Sequence, residues 1–347
     1  MRTITKYFVL GLVFFFASCG KAPVRISETP EKTSAVERQQ HSDKNGVYYW
    51  KTVFRLNEWE KDFLSRYRIG NLYIRLFDVD WDMEKGMPVP IATTRFEDSI
   101  PEEVSVIPVV YITTSGLKEI DDYDTLFYQR IIAMAKRNGF ADKLSEIQLD
   151  CDWTKSNQSE YFSFCERIRK LAKADGISLS ATIRLHQLSS EAPPVDRGVL
   201  MLYNTGSLYN PDTENSILDS NDVEPYLTKH IDYELPLTAA YPTYAWAILL
   251  KGGKFSAILH KSDFSDRSLY REISGNIFEV VESHYLENHH LRVGDKIRVE
   301  HSSMNEIKKV KGYVDTSFGK SMDCIIYHLD SLNLSKYSET DIQTILK

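Results

Sequence analysis

The sequence predicts an α/β fold, a TIM-like (βα)8 barrel with a β-hairpin insertion late in the chain. Residues 146–154 provide the first observation, because apolar and polar side chains alternate there as in a half-buried strand. The second is an amphipathic helix predicted over 158–174, immediately after that strand. An edge strand of a sandwich alternates in the same way, but a strand that leads directly into a helix is half of a β/α unit. The polar face of the strand, with Asp150 and Asp152, is then expected to face the barrel interior near its mouth.

The chain before this unit is predicted to supply three strands and two helices. The first helix begins after Asn57, which is a favourable N-cap. Gly139 fits the C′ position of the second helix. Residues 83–104 contain prolines and no helical pattern, and they are predicted as a long loop. The predicted strands are 47–54, 72–79 and 106–113, and the predicted helices are 57–67 and 123–138.

The chain after this unit continues the alternation as far as residue 244. There, two apolar runs flank Gly252-Gly253, which predicts a tight hairpin over 244–259, and mixed helix is predicted from its end to about residue 289. A closed barrel needs eight strands, whereas the sequence offers about nine, so either 231–237 or 295–301 is expected to be peripheral. The predicted strands are 178–186, 198–205, 231–237, 295–301 and 324–329, and the predicted helices are 222–228, 305–314 and 339–346.

Composition excludes some function classes and leaves others open. The net charge is -7, from 42 basic and 49 acidic residues, and no cluster of Lys and Arg is evident. This disfavours binding to nucleic acid or to an anionic membrane surface. The chain has 20 Tyr and 5 Trp, which are suited to stacking on sugar faces but also to filling a large core.

The first residues resemble a bacterial lipoprotein signal. Arg2 and Lys6 precede an apolar run over 7–17 that is too short for a membrane span, and the run ends in Ala17-Ser18-Cys19. The resemblance implies a signal over 1–19, acylation of Cys19, for example with palmitate, and a cell-envelope location on the outer membrane or the periplasmic face. A cleaved signal with an unmodified Cys19 is the alternative.

The predicted domain organisation follows from where large apolar residues begin. Residues 20–45 are rich in polar residues and poor in large apolar ones, which predicts a flexible tether. A single barrel domain is then predicted over 46–347. Three cysteines remain after Cys19, and their spacing matches no zinc or disulfide framework, so they are interpreted as small buried hydrophobes.

Polar side chains near the ends of the predicted strands mark the candidate site. They are expected to meet at the barrel mouth, where barrel active sites form, although a self-satisfied network that only braces the barrel is the alternative. The catalytic candidates are Asp152, Asp150, Asp330 and Glu300. The substrate-binding candidates are Arg75, Arg184, His186, Tyr203, Asn204, His328 and Trp153.

The spacing of Asp150 and Asp152 suggests how they could divide the chemistry. Two positions apart on one strand face, their Cα atoms lie ~6.6 Å apart. Carboxylates this close raise the pKa of at least one partner, so that one can stay protonated while the other is charged. Glycosidases need such a pair. Asp152 is the candidate general acid or base, Asp150 would tune it, and Arg184 and His186 would bind substrate or orient Asp152.

Two short motifs resemble the family-18 chitinase barrel. That family carries D-x-D-x-E on strand four and M-x-Y-D on strand six, and this chain has Asp150-Cys151-Asp152-Trp153-Thr154 and Met201-Leu202-Tyr203-Asn204. The acid glutamate of the family falls on Thr154 and its strand-six aspartate on Asn204, so the resemblance implies the barrel and its cleft more than the reaction. Most of the predicted mature chain also resembles uncharacterised bacterial lipoproteins with a predicted glycosidase-like barrel, through its Tyr-Tyr-Trp-Lys-Thr, Ile-Arg-Leu-His-Gln-Leu and Tyr-His-Leu-Asp-Ser segments.

Three functional hypotheses follow. The first is a cell-envelope lipoprotein whose barrel acts on glycans as a glycoside hydrolase, and the second is a glycan-binding lipoprotein without catalysis. The third is a metal-dependent hydrolase, because carboxylate and imidazole ligands at Asp150, Asp152, His186 and His328 suit Zn or Mn. The first two hypotheses need no cofactor or metal. They predict a glycan or oligosaccharide partner and a membrane contact through the lipid.

Overall fold

The computed structural model describes residues 45–261 and 263–347. The predicted signal 1–19, with Cys19, and the predicted tether up to residue 44 lie outside the described residues. The strands, in chain order, are β1 (Gly46–Tyr49), β2 (Val53–Phe54), β3 (Asn71–Asp82), β4 (Met87–Ile91), β5 (Arg95–Phe96), β6 (Ser105–Ile112), β7 (Glu146–Cys151), β8 (Ser178–Ile183), β9 (Arg197–Met201), β10 (Leu237–Pro242), β11 (Ala245–Lys251), β12 (Lys254–Leu259), β13 (Tyr270–Ser274), β14 (Ile277–Val280), β15 (His284–Leu286), β16 (His289–Leu291), β17 (Lys296–His301) and β18 (Cys324–Tyr327). The α-helices are α1 (Glu58–Arg66), α2 (Asp124–Arg137), α3 (Gln158–Ala174), α4 (Ser220–Val223), α5 (Met304–Phe318), α6 (Ser331–Leu334) and α7 (Glu339–Leu346).

Eight parallel strands close into a barrel. Their order around the barrel is β1, β3, β6, β7, β8, β9, β10 and β18, and β18 pairs with β1 to complete the ring. Helices connect most of the neighbouring strands on the outside. The predicted (βα)8 barrel is therefore confirmed, and its C-terminal mouth is formed by the ends of these eight strands.

The seventh barrel strand differs from both predicted candidates. Residues 231–236 form no strand, and β10 begins only at Leu237, the last residue of the predicted 231–237. Ile231, Tyr233 and Leu235 are partly buried against the core, so their alternation reflects packing of an irregular segment. The true strand, Leu-Thr-Ala-Ala-Tyr-Pro, consists largely of small residues and gives a weak strand signal.

The predicted hairpin is present and belongs to a larger inserted sheet. β11 and β12 pair across Gly252-Gly253, both at positive φ, as a tight turn requires. The five-stranded sheet has the order β12-β11-β17-β14-β13, so the predicted strand 295–301 lies here and not in the barrel. A separate small core that includes Leu249, Phe264 and Ile297 stabilises it.

The mixed helix predicted up to residue 289 is wrong. That segment forms β13, β14 and β15, and β15 begins a two-stranded ribbon with β16. The turn of the ribbon has positive φ at Glu287 and Asn288, and a positive-φ Gly275 separates β13 from β14. These turns are the local signal for hairpins, which the prediction of mixed helix overlooks.

The connection between β3 and β6 contains no helix. The chain instead returns as β4, antiparallel to β3, and then as β5, which pairs with β2. The predicted loop over 83–104 is therefore partly strand. Elsewhere on the barrel the predicted helices are confirmed: Asn57 caps α1 in a capping box with Glu60, and α3 has the predicted bounds.

None of the described helices combines the length and the apolar character needed to cross a membrane.

Candidate active site at the barrel mouth

Asp150 lies at the C-terminal end of β7 and points into the barrel, where it is buried. Its Oδ1 accepts a hydrogen bond of 2.6 Å from the Thr182 hydroxyl and one of 3.0 Å from Nη2 of Arg184. Burial raises the pKa of Asp150, and the opposing effect of the Arg184 guanidinium does not cancel this rise. Thr182 on β8 and Arg184, which directly follows β8, therefore hold the buried carboxyl in place.

Asp152 follows β7 directly and is more open to solvent, with 52% of its side chain exposed. Nε of Arg184 donates to its Oδ1, and the Tyr111 hydroxyl lies 3.4 Å from Oδ2. The Arg184 guanidinium therefore joins both aspartates. Burial alone lowers the pKa of Arg184, but the two carboxylates outweigh burial and raise it. Nη1 of Arg184 is buried and has no acceptor among the described residues.

A second ion pair lies across the cleft on β3. The strand contains a bulge between Arg75 and Phe77, which shifts the register against β6 by one residue. The bulge puts Arg75 and Asp78 on the same face, where Nε donates to Oδ1 at 2.7 Å and Nη2 donates to Oδ2. Phe77 packs outward near Phe127 of α2. The pair is bidentate and mostly buried, so it forms a rigid wall.

Aromatic rings line the same cleft beside these charges. Tyr203, which follows β9, stacks on Tyr327 with ring centroids 4.4 Å apart and planes at 24°. Trp50 lies 5.8 Å from Tyr327, and the guanidinium of Arg75 lies 5.7 Å from the Trp50 ring. The cleft encloses about 300 Å³ and is lined by Trp50, Arg75, Asp78, Tyr111, Asp150, Asp152, Arg184, Met201, Tyr203, Asn204 and Tyr327.

A larger cavity of about 700 Å³ adjoins this cleft and shares Trp50, Asn204 and Tyr327 with it. Its walls include His328 and Trp246. Most of its other lining comes from the start of the inserted sheet, the end of β12 and the segment after β18. Together, the cleft and the cavity form one continuous depression across the barrel mouth.

His328 and Asp330 both line this cavity, but His328 has an unpaired ring nitrogen whereas Asp330 caps a helix. Burial lowers the pKa of His328 to about 4 despite the nearby Asp330, and its Nδ1 has no partner among the described residues. Asp330 is the N-cap of α6, where it accepts from the Leu332 amide at 3.1 Å and from the Asn333 amide side chain at 2.8 Å. Asn204, at positive φ, accepts 2.6 Å from the Tyr244 hydroxyl.

Three predicted site residues lie outside this depression. His186 is exposed, because β8 ends at Ile183 and the chain turns into a 3-10 helix, which breaks the alternation that would have pointed it inward. Trp153 is buried in the core against Tyr161 of α3. Glu300 lies on β17 of the inserted sheet and is fully occupied by hydrogen bonds there.

The structure also adds residues that the sequence did not single out. Trp50 and Tyr327 follow or end barrel strands, Asp78 depends on the bulge, and Tyr111 faces inward from β6. Tyr111 is the last residue of β6 that carries a polar group, and this position near the strand end is a usable signal. The bulge has no comparable signal in the sequence.

The proposed metal ligands do not come together. Asp150 and Asp152 line the cleft and His328 lines the cavity, but His186 is outside both. Among residues 45–261 and 263–347, no group of three His, Cys, Asp or Glu side chains is arranged to hold a metal ion. The metal-dependent hydrolase hypothesis therefore has no site in the described part of the chain.

Comparison with known proteins identifies the class of fold. No protein-family model and no curated protein matches the chain. Among solved structures, the Group IV chitinase of Ostrinia furnacalis is similar at a TM-score of 0.52 and 12% identity, over 88% of this chain and 100% of that chain. The spore cortex-lytic enzyme SleL of Bacillus cereus is similar at a TM-score of 0.48 and 15% identity, over 83% of this chain and 71% of that chain.

The likeness to the chitinase, at this low identity, concerns the fold. The chain folds as a glycosidase-like barrel, in agreement with the resemblance drawn from its strand-four and strand-six motifs. At the acid position of the strand-four motif, Thr154 is exposed and its hydroxyl bonds to Ser156 at 2.8 Å.

Proposed function

We propose that the depression at the barrel mouth binds a glycan chain. The observation that carries this proposal is the placement of aromatic rings and fixed, charged hydrogen-bonding groups in one cleft. Trp50 and Tyr327 offer apolar faces that suit the C–H faces of sugar rings. Asp152 and Arg184 offer acceptors and a donor that suit sugar hydroxyl or amide groups.

Fixed polar groups favour binding because little conformational freedom is lost when the ligand arrives. Arg184 is held by two carboxylates, and Asp150 is held by Arg184 and Thr182. The free Nη1 of Arg184 is a buried donor that a ligand oxygen would satisfy. The adjoining cavity extends the site, so that the ligand is an oligosaccharide and not a single sugar.

Hydrolysis of the glycan is the second candidate, and one observation favours it. Asp150 is buried with a raised pKa, whereas Asp152 is half-exposed, and glycosidases use two carboxyl groups in unlike environments. In this candidate Asp152 is the general acid or base and Asp150 tunes it. Binding without turnover has the better support, because Arg184 pairs with both carboxylates and Thr154 stands at the acid position.

A binding assay with a matched control tests the proposal. Isothermal titration with a panel of oligosaccharides, including chitin fragments, is expected to give saturable binding that Asp152→Asn weakens at least about tenfold, the loss of roughly one charged hydrogen bond. His186→Gln, at the exposed predicted residue outside the depression, should leave the affinity unchanged. Failure of every oligosaccharide to bind, or equal losses in both variants, would refute the proposal.

Product analysis separates the two candidates. Turnover of any bound oligosaccharide by the wild type, abolished in Asp152→Asn, would establish hydrolysis. Binding with no products after prolonged incubation would leave the non-catalytic function.

We also propose that the protein is a cell-envelope lipoprotein anchored through Cys19, on the outer membrane or the periplasmic face. The support is the leader pattern of Arg2, Lys6, the apolar run and Cys19. In cells, the wild type is expected to incorporate a labelled fatty acid and to enter the detergent phase, and Cys19→Ala should do neither. Incorporation of the label by Cys19→Ala would contradict the assignment.

A further inference from the structure

A groove of about 450 Å³ lies on the outer wall of the barrel, away from the mouth depression. It runs between α2 and the segment after β4, where the β3–β6 connection lacks the helix that a (βα)8 barrel normally has. The face of α2 that would pack against that helix is left open. Arg130, Ala133, Met134 and Arg137 form this face at helical spacing.

The groove is lined by arginines and by no carboxylate. Arg95, Arg130 and Arg137 contribute three guanidinium groups, and Thr93 contributes a hydroxyl. Arg95 is paired with Glu97 at 2.6 Å, and Glu97 is shared with Arg55. Arg130 and Arg137 have no ion-pair partner within residues 45–261 and 263–347. The chain has a net charge of -7, whereas two arginines without a carboxylate partner make this groove locally positive.

Arg130 is held in position by contacts with Phe77 and Thr93. Its guanidinium lies 5.2 Å from the Phe77 ring, and Nη2 donates to the Thr93 hydroxyl at 3.0 Å. Its Nε is buried without an acceptor among the described residues. The helix dipole accounts for a cation in the last turn of α2, which includes Arg137, but Arg130 lies two turns earlier and needs another explanation.

We propose that this groove binds a phosphate group. Two uncompensated guanidiniums match the charge of a phosphate dianion, and the planar N–H forks of arginine pair with its several oxygens. Ala133 and Met134 lie between the two arginines in the sequence of α2 and line the same groove. The phosphate could belong to a soluble molecule or to a phospholipid headgroup, and the chemistry of recognition is the same for both.

Titration with inorganic phosphate at about 0.15 M salt, where nonspecific attraction is screened, tests the site. Arg137→Gln, at an exposed position, should weaken binding at least tenfold, and Arg130→Gln should do so as well. Lys136→Gln removes the same charge from the same helix one residue away, outside the groove, and should change the affinity less than twofold. Absence of phosphate binding to the wild type, or equal losses in Lys136→Gln and Arg137→Gln, would overturn the proposal.

Vesicle sedimentation identifies the source of the phosphate. The full chain carrying Cys19→Ser, which removes any acyl anchor, is mixed with phosphatidylglycerol or phosphatidylcholine vesicles. Retention on phosphatidylglycerol that Arg137→Gln abolishes assigns a headgroup. Phosphate binding without retention assigns a soluble ligand. The groove shares no lining residue with the mouth depression, so this proposal and the glycan proposal fail separately.

Discussion

Two arginine–carboxylate groups in this molecule lie on or directly after strands and differ in their exposure. Arg184 with Asp150 and Asp152 lies at the barrel mouth, and Arg298 with Glu300 lies on β17 of the inserted sheet. The side chains of Arg298 and Glu300 are 1% and 0% exposed, whereas Asp152 is 52% exposed. The first group is open to a ligand, and the second is closed to solvent.

The closed pair has a structural role that its hydrogen bonds define. Glu300 accepts from Nε of Arg298 at 2.6 Å, from the Trp246 indole at 2.7 Å and from the amide and hydroxyl of Ser216. Arg298 also donates to the carbonyl of Asn210 at 3.1 Å. The pair therefore joins the inserted sheet to the loop after β9 and orients Trp246 at the wall of the mouth cavity. The Arg298–Glu300 pair can therefore affect ligand binding only indirectly, through the orientation of Trp246.

Removal of the charge on Glu300 is expected to have the largest effect on stability. Glu300→Gln leaves Arg298 as an uncompensated buried charge, which costs roughly 3–5 kcal/mol in the free energy of unfolding. Urea denaturation measures this cost. Glu272→Gln is the matched control, because Glu272 pairs with Arg267 on the exposed surface of the same sheet and should cost under about 1 kcal/mol. A small loss of stability in Glu300→Gln would show that the Arg298–Glu300 pair is not shielded from solvent.

The mouth region should respond to acid through His328. Its pKa in the folded protein is lowered to about 4, below the value of 6.5 for the unfolded chain. Between these values the unfolded chain binds the extra proton, so stability should fall as the pH is lowered from about 6.5 to about 4, by on the order of 2 kcal/mol.

The variant His328→Asn tests the origin of this acid response. It removes the titrating group, so the stability curve should flatten between about pH 6.5 and 4. Urea midpoints measured across this pH range provide the comparison. A slope in His328→Asn equal to that of the wild type would assign the acid response to other groups.

The smallest stability effect is expected for Asp152→Asn. The side chain is half in solvent, and Arg184 keeps its contact with Asp150, so the free energy of unfolding should change by less than about 1 kcal/mol. A small change in the free energy of unfolding for Asp152→Asn and a large one for Glu300→Gln would distinguish a residue that binds ligand from one that stabilises the fold. A loss as large as that of Glu300→Gln would mean that the mouth cluster also only stabilises the fold.

Much of the barrel could be predicted from strand–helix alternation, and particular residues show where that reasoning ends. The period of two predicts Asp150 and Arg184 at the mouth correctly, because Asp150 lies on β7 and the backbone of Arg184 is still extended directly after β8. His186 lies two residues further on, within the 3-10 helix, so the same period does not apply to it. Asp78 reaches the cleft through a bulge whose register depends on pairing with β6.

The second half of the chain is harder to predict from the sequence, because alternation marks a strand without identifying its neighbours. β17 alternates as well as any barrel strand, but its neighbours are β11 and β14, and alternation does not say which strand is adjacent. For this reason the alternation predicts Glu300 at the mouth, and this prediction is wrong. β10, which does belong to the barrel, is made of small residues whose burial is evident only from the closed ring.

The most direct test of the central claim is a crystal structure of the protein soaked with an oligosaccharide that binds in solution. The account predicts sugar rings against Trp50 and Tyr327, with a ligand oxygen within hydrogen-bond distance of Asp152 or of Nη1 of Arg184. Sugar density on another surface, with the mouth empty, would contradict it.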